Sequence, residues 1–306
     1  MNAPPRELLA ALTPQPEKVD AYLGDTYLQE TVDQLDRLGI DAGKFAREHS
    51  LLLLKPDAVV ARAIEPTVQW LGENGFRVVS ARRVPADRHL ARALWYFTWN
   101  IASPERRRLA DLLVRIADVL VLVVRGEDGH LPVPVRLTEA KGATDPRKRK
   151  PGELRYLLGR HSYLLNLVHS PDDPADVLRE LAIYLDERSR ATVLTQIATG
   201  ADRASDAVAI ARDLYARVPA RSFDRGDALE RILRDLERAG VSVPSEFDPA
   251  ADADCARLLD AAWAEDRELD PWSVIVLGSH VLPMRTGTQP QTLRPVSAQE
   301  WLEKRP

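Results

Sequence analysis

A histidine, a lysine and a basic loop are the residues of this chain whose types and spacing could do chemistry. His169 sits in "NLVHSPDD", where an apolar run gives way to a helix start. An imidazole there can pack in the core, lie on the surface, or act as a nucleophile that carries a group between substrates. Lys55 ends the apolar run "SLLLL" in "LLKPD", and the stretch "KGATDPRKRKPGELR" is polar, bounded by proline and rich in cations. With Thr144, Arg155 and Asn166, these groups suit a polyphosphate, whose charge is spread over many oxygens and needs donors from several elements. Spacing alone does not show that they converge.

The elements that would position these groups read as follows. "SLLLLKPD" is a short buried strand stopped by Pro56, and "AVVARAIEPTVQWLGENG" a helix kinked at Pro66 and ended at Gly75. "FRVVSARRV" alternates as a strand, and "DRHLARALWYF" and "SPERRRLADLLVRI" are helical. "DVLVLVVRG" is apolar enough for a central strand, "PVRLTEAKG" is helical, and "YLLNLVH" is a fourth strand. A helix then starts at Pro174, with Asp173 as its N-cap. The order predicts an α/β (α+β) fold, a ferredoxin-like split βαβ sheet with helices. Residues 1–47 form a helical N-terminal extension of one or two short helices. Residues 187–306 form a mostly helical C-terminal region, with a last strand at "SVIVLG".

Composition narrows the function classes. The chain has 306 residues, 45% of them hydrophobic, enough for a normal core. A net charge of −4 gives no global basic field, so nucleic acid is not expected as a partner. The single cysteine, Cys255, excludes an internal disulfide and a cysteine-based zinc site. The start "MNAPPRELLAAL" lacks the pattern of a signal peptide, and the longest apolar runs cannot span a bilayer, so a cytoplasmic location is expected. No GxxxxGK[ST] loop, GxGxxG or HExxH occurs. His89 and His161 read as surface or packing residues, and His280 is uninformative.

Four motifs in order carry a specific resemblance. "KPD" stands at 55–57, "GATDP" at 142–146 followed by "KPGELR" at 150–155, "NLVH" at 166–169, and Glu180 follows eleven residues after the histidine. Residues 48–186, slightly under half of the chain, resemble a nucleoside diphosphate kinase, whose patterns are KPD, G-x-T-N-P, PG-x-x-R, N-x-x-H-G-S-D and a helical glutamate. The resemblance implies a phosphotransferase that moves the terminal phosphoryl of ATP or another nucleoside triphosphate to a nucleoside diphosphate or related acceptor. His169 would be the phosphohistidine and Glu180 would fix its tautomer. Lys55, Thr144, Arg155, Asn166 and Arg106 would bind nucleotide and phosphate, and Asp172 would help place Mg²⁺. The family also implies a homo-oligomer, which the flanking helices could limit to a dimer or a monomer. The chain departs from the pattern at "HSPD", where the glycine is lost and proline takes the serine position. It also lacks an aligned aromatic for the base. Tyr96 and Arg136 stand close to, but not at, the positions of a family tyrosine and arginine. The other class left open is a nucleotide-binding or scaffolding module on the same fold without turnover.

Overall fold

The computed structural model describes residues 5–127, 129–159 and 161–303. Its centre is a four-stranded sheet of β1 (His49–Leu54), β2 (Phe76–Val84), β3 (Val119–Gly126) and β4 (Val168–His169), in the order β2-β3-β1-β4 with every neighbouring pair antiparallel. β3 therefore lies between β1 and β2, the split βαβ arrangement expected from the sequence. Leu51, Leu53, Val79, Val121 and Val123 pack to one face; Leu52, Leu54, Val78, Leu120, Leu122 and Val124 pack to the other. Burial on both faces explains why these strands are continuous apolar runs rather than alternating ones.

Four helices precede the sheet: α1 (Arg6–Leu12), α2 (Pro16–Tyr22), α3 (Thr26–Arg37) and α4 (Ala42–Glu48). One or two were expected; Pro16 at a helix start and the Asp25 and Asp41 side-chain caps divide the segment further. Leu9, Leu12, Val19, Leu28, Leu35 and Phe45 share one core with the first sheet face. Within the sheet region, α5 (Pro56–Val60) and α6 (Ile64–Glu73) replace the single kinked helix. The break falls at Arg62, with φ of 57° and its guanidinium on the carbonyls of Val59, Tyr215 and Val218, while Pro66 sits harmlessly in the first turn of α6.

After β2 come α7 (Arg88–Leu94), a 3₁₀ turn (Tyr96–Ile101) and α8 (Pro104–Leu113); α9 (Val133–Lys141) and the short α10 (Leu154–Leu157) lead to β4. Most of the expected fourth strand is not a strand. Leu167 adopts φ of 66° and the Val168 N–H donates to Asn166 O at 2.8 Å, a tight turn that leaves two residues to pair with β1. α11 (Pro174–Tyr184) follows, buried at every position but Ile183.

The rest of the chain is helical: α12 (Glu187–Ala198), α13 (Ala204–Arg217), α14 (Arg225–Arg238), α15 (Asp252–Ala264), α16 (Pro271–Val281) and α17 (Ala298–Glu303). α12 and α13 lie along β2, where the Arg203 N–H donates to Val78 O at 2.7 Å and Ser80 Oγ donates to Gln196 Oε1. "SVIVLG", expected as a strand, lies inside α16. Asp270 caps that helix, Pro271 opens it, and residues Trp272 to Ser279 are all buried, so no amphipathic period marks it. Beyond α16 the tail crosses the 3₁₀ turn, bridging Arg285 to Ala102 and donating from Thr286 and Thr292 N–H to the carbonyls of Ile101 and Phe97. No helix among the described residues is long and apolar enough to cross a membrane.

The shared core makes a prediction about residues 1–47. Leu28 and Leu178 are both fully buried in it. Leu28→Ala is expected to cost about 2–5 kcal/mol in denaturant unfolding, as Leu178→Ala should. A Leu28→Ala midpoint equal to that of the wild type would show that the extension is not part of the core.

Candidate functional site

Register decides where His169 points. It pairs with Leu53 on the face that meets α11, while Val168, opposite Leu54, turns to the other core. Glu180, on the second turn of α11, meets the imidazole there: His169 Nε2–H donates to Glu180 Oε1 at 2.9 Å. The second carboxylate oxygen accepts from Tyr184 OH at 3.2 Å. Trp95 abuts the imidazole edge-on, with ring centroids 5.6 Å apart. With Nε2 committed to Glu180, the lone pair is on Nδ1. The His169 side chain keeps 20% of its surface exposed, against 6% for Glu180, so the imidazole is the accessible member of the pair.

The turn before His169 is held by buried charge. The Asp57 carboxylate accepts from Leu167 N–H at 2.9 Å and lies 3.3 Å from Lys55 Nζ, while the Lys55 N–H donates to Leu167 O. The positive φ of Leu167 is thus fixed from both sides. Lys55 Nζ also donates to Leu164 O, and burial lowers its pKa against the pull of Asp57.

Arg155 ties the other side together. It donates to Gly142 O and Thr144 Oγ1 through Nη1, and to Val168 O through Nη2 at 2.6 Å. Burial, then the nearby Arg149, lowers its pKa to about 10. Gly142 has φ of 87°, and a Cβ there would lie 2.8 Å from Glu153 Cβ, so only glycine fits this turn. The basic loop divides by burial. Arg149 is buried and donates to the carbonyls of Ala143, Thr144 and Gly159; Arg147 pairs with Asp145; Lys148 and Lys150 stay exposed. The cation-rich stretch is thus partly solvated surface and partly a buried brace.

His169, Glu180, Lys55, Gly142 and Arg155 border one cleft of about 660 Å³. Every site residue that the resemblance implied lines it: His169, Glu180, Lys55, Thr144, Arg155, Asn166, Arg106 and Asp172. Of the three arginines in "PERRRL", only Arg106 does so, with its guanidinium 5.4 Å from the Tyr163 ring centroid; Arg107 turns to Trp99 O and Arg108 to the Trp263 ring. Tyr96 is mostly exposed and outside the cleft, and Arg136 turns to Glu127 O. His161 stacks on Phe223 at 4.1 Å, the packing role expected of it.

Three groups were not legible. Lys141 ends α9 with Nζ 2.7 Å from Ser170 Oγ, within a network that includes Thr138 Oγ1. Burial, then Arg155, lowers its pKa to about 7. Ser170 is fully buried in this network, so the serine of "HSPD" presents no free hydroxyl to the cleft. Tyr163 is the exposed aromatic of the cleft that the aligned segment lacked. From α2, Lys18 donates to Asp173 Oδ2 at 3.0 Å and Asp176 Oδ2 at 2.8 Å, and Tyr22 OH donates to Asp176 Oδ1. Burial raises the Asp173 pKa to about 7; burial acts the same way on Asp176, but Lys18 and its hydrogen bonds hold that carboxylate below its usual range. Lys18 has no spacing relative to a motif that would single it out before folding, and Lys141, directly before GATDP, reads only as one more cation of the basic stretch. Among the described residues no three histidine, cysteine, aspartate or glutamate side chains gather as a metal cluster.

The family model for nucleoside diphosphate kinase matches residues 48–189. The chain is 30% identical to the nucleoside diphosphate kinase of Pyrococcus furiosus over 139 residues, covering 45% of this chain and 82% of that one. It is also 30% identical to the enzyme of Burkholderia mallei strain SAVP1 over 142 residues, covering 46% and 95%. A solved nucleoside-diphosphate kinase from Borrelia burgdorferi, with bound vanadate and ADP, superposes with a TM-score of 0.40 at 22% identity, over 46% of this chain and 89% of that one. Through residues 48–189, the chain belongs to the nucleoside diphosphate kinase family.

Proposed function

We propose that this protein is a phosphotransferase that moves the terminal phosphoryl of a nucleoside triphosphate through His169 to a nucleoside diphosphate or related acceptor. The observation that carries the reading is the His169 Nε2–Glu180 hydrogen bond of 2.9 Å in a cleft bordered by Lys55, Lys141, Thr144, Arg155 and Asn166. The Nδ1 lone pair would attack the γ-phosphorus, the bond to the β-phosphate oxygen would break, and the nucleoside diphosphate would leave. An oxygen of the acceptor's terminal phosphate would then attack the phosphohistidine and break its N–P bond. Nε2 keeps its proton throughout, and the Glu180 carboxylate offsets the positive charge of the phosphorylated ring. The cations of the cleft would neutralise the phosphate oxygens, whose charge shifts as the transferring group moves.

Magnesium would arrive with the triphosphate. The donor set fits that role: Asp172 is a carboxylate at the cleft, enough for an ion that takes most of its oxygens from phosphate and water. It would draw charge from the phosphate oxygens when bound. The base would lie against Tyr163. A cytoplasmic location belongs to the same proposal. Coverage of the β2 edge by α12 and α13 supports a chain that does not pair through that strand.

Intact-protein mass spectrometry after incubation with ATP and Mg²⁺, under conditions that spare acid-labile phosphohistidine, is the direct test. The wild type should gain one phosphoryl group and His169→Ala none. Glu180→Gln should slow labelling by on the order of 10²-fold. ATP binding without labelling would instead favour a nucleotide-binding module.

Lys141 gives a pH dependence. Its pKa of about 7 makes it an ammonium below that pH and a neutral amine above it. A phosphate that binds the ammonium must recruit a proton at higher pH, so affinity falls as pH rises. ATP affinity should drop roughly fivefold from about pH 7 to about pH 8, and Lys141→Arg should remove that drop. A wild-type profile as flat as that of Lys141→Arg would show that Lys141 does not hold phosphate.

A further inference from the structure

Lys18 comes from residues 1–47, outside the segment matched to the family, yet it reaches the cleft. Its ammonium, 4% exposed, lies between Asp173 and Asp176 in the first turn of α11. That helix carries Glu180, and Asp176 Oδ2 also accepts from Asp172 N–H, which fixes the "HSPDD" turn after His169. Tyr22, one helical turn past Lys18, holds the other Asp176 oxygen, and Asp25 pairs with Arg179 at 2.7 Å. The extension thus grips α11 at Asp173, Asp176 and Arg179, along one side of the helix.

Charge makes the grip more than packing. Two carboxylates buried beside a cleft for polyphosphate repel any anion that enters, because low-dielectric surroundings screen them poorly. Lys18 is the cation placed between them. We infer that Lys18 is a positioning residue that the N-terminal extension supplies to the nucleotide cleft, offsetting the negative charge of the Asp173–Asp176 pair so that a nucleotide polyphosphate can bind. The inference rests on the reading of the cleft as a nucleotide site, but not on transfer through His169.

Calorimetric titration of the full chain with ADP and Mg²⁺ tests it without turnover. Lys18→Met, checked for folding by circular dichroism, should weaken ADP binding roughly tenfold. Lys18→Arg should bind like the wild type, and Lys18→Met with Asp176→Asn should recover most of the loss. Recovery is read at a temperature where circular dichroism shows both variants fully folded, so that it reports the charge beside the cleft and not the relief of an unpaired buried carboxylate in the fold. Wild-type affinity in Lys18→Met, or no recovery in the double variant, overturns the inference. Should Lys18→Met fail to fold, Asp176→Asn alone decides. With Lys18 in place and one carboxylate gone, it should bind ADP at least as tightly as the wild type, and weaker binding overturns the inference. A wild type that binds ADP but gains no phosphoryl group from ATP would overturn the transfer reading and leave this one standing. A wild type that does not bind ADP overturns both.

Discussion

The hydrogen bond between His169 and Glu180 joins an edge strand of two residues to a helix buried on almost every side. A pair of that kind is only as well placed as its two supports. β4 is short because the chain must turn sharply at Leu167, and the turn persists because Asp57 and Lys55 hold both its N–H and its carbonyl. α11 is held in place by the first sheet face, α3 and α4, which all pack against it. The strained turn costs on the order of 1–3 kcal/mol, and the surrounding core overdetermines it. Placing that strain next to an imidazole held at one nitrogen lets the other nitrogen face the cleft in a single orientation.

The cations around the cleft are of two kinds. Arg149 and Arg155 spend most of their donors on backbone carbonyls and so brace the loop from Gly142 to Gly159. Lys141 and Lys55 have compact ammonium groups whose pKa values burial lowers. A guanidinium suits bracing because its planar fork reaches several acceptors at once and stays charged when buried. An ammonium in the same surroundings can change its protonation when an anion arrives. The sequence "PRKRKPG" shows neither division, because Arg149, which reads as surface charge, folds inward onto the carbonyls of Ala143, Thr144 and Gly159.

What could be read before the structure follows from what is local. The KPD, GATDP, PGELR and NLVH segments are each short, and their order along the chain was enough to suggest a common site. The strands were legible where burial on both faces produced apolar runs, and α11 where Asp173 and Pro174 mark its start. Two errors have one cause: "SVIVLG" in α16 and "YLLNLVH" before α11 are both apolar without a period. Length and β-branching then favour a strand, while the decisive features, the Asp270 cap and the positive φ of Leu167, lie outside the pattern or depend on tertiary hydrogen bonds. Tyr163 was passed over because the aromatic was sought in the segment aligned with the family, whereas the cleft wall is completed from another loop.

The extensions are where sequence reasoning was weakest and where this chain differs most from its relatives. Residues that sit more than a hundred positions apart, such as Lys18 and Asp176, share no motif, and only the docking of α2 on α11 makes them a pair. The C-terminal tail behaves likewise: Gln291, Leu293 and Arg294 line the cleft because the tail runs across the 3₁₀ turn, and Gln15 donates to Pro295 O to link the two extensions. Arg294 is itself paired with Glu17 and Glu300. The wall of the cleft is therefore built partly by segments outside the family match. On the proposed reading, the polyphosphate side of the cleft is set by motifs shared with the family and its remaining sides by residues outside the family match. Differences in acceptor between this protein and its relatives should then arise from the walls rather than from the imidazole, since the chemistry at His169 needs only its ring, its carboxylate partner and the cations on the transferring phosphate.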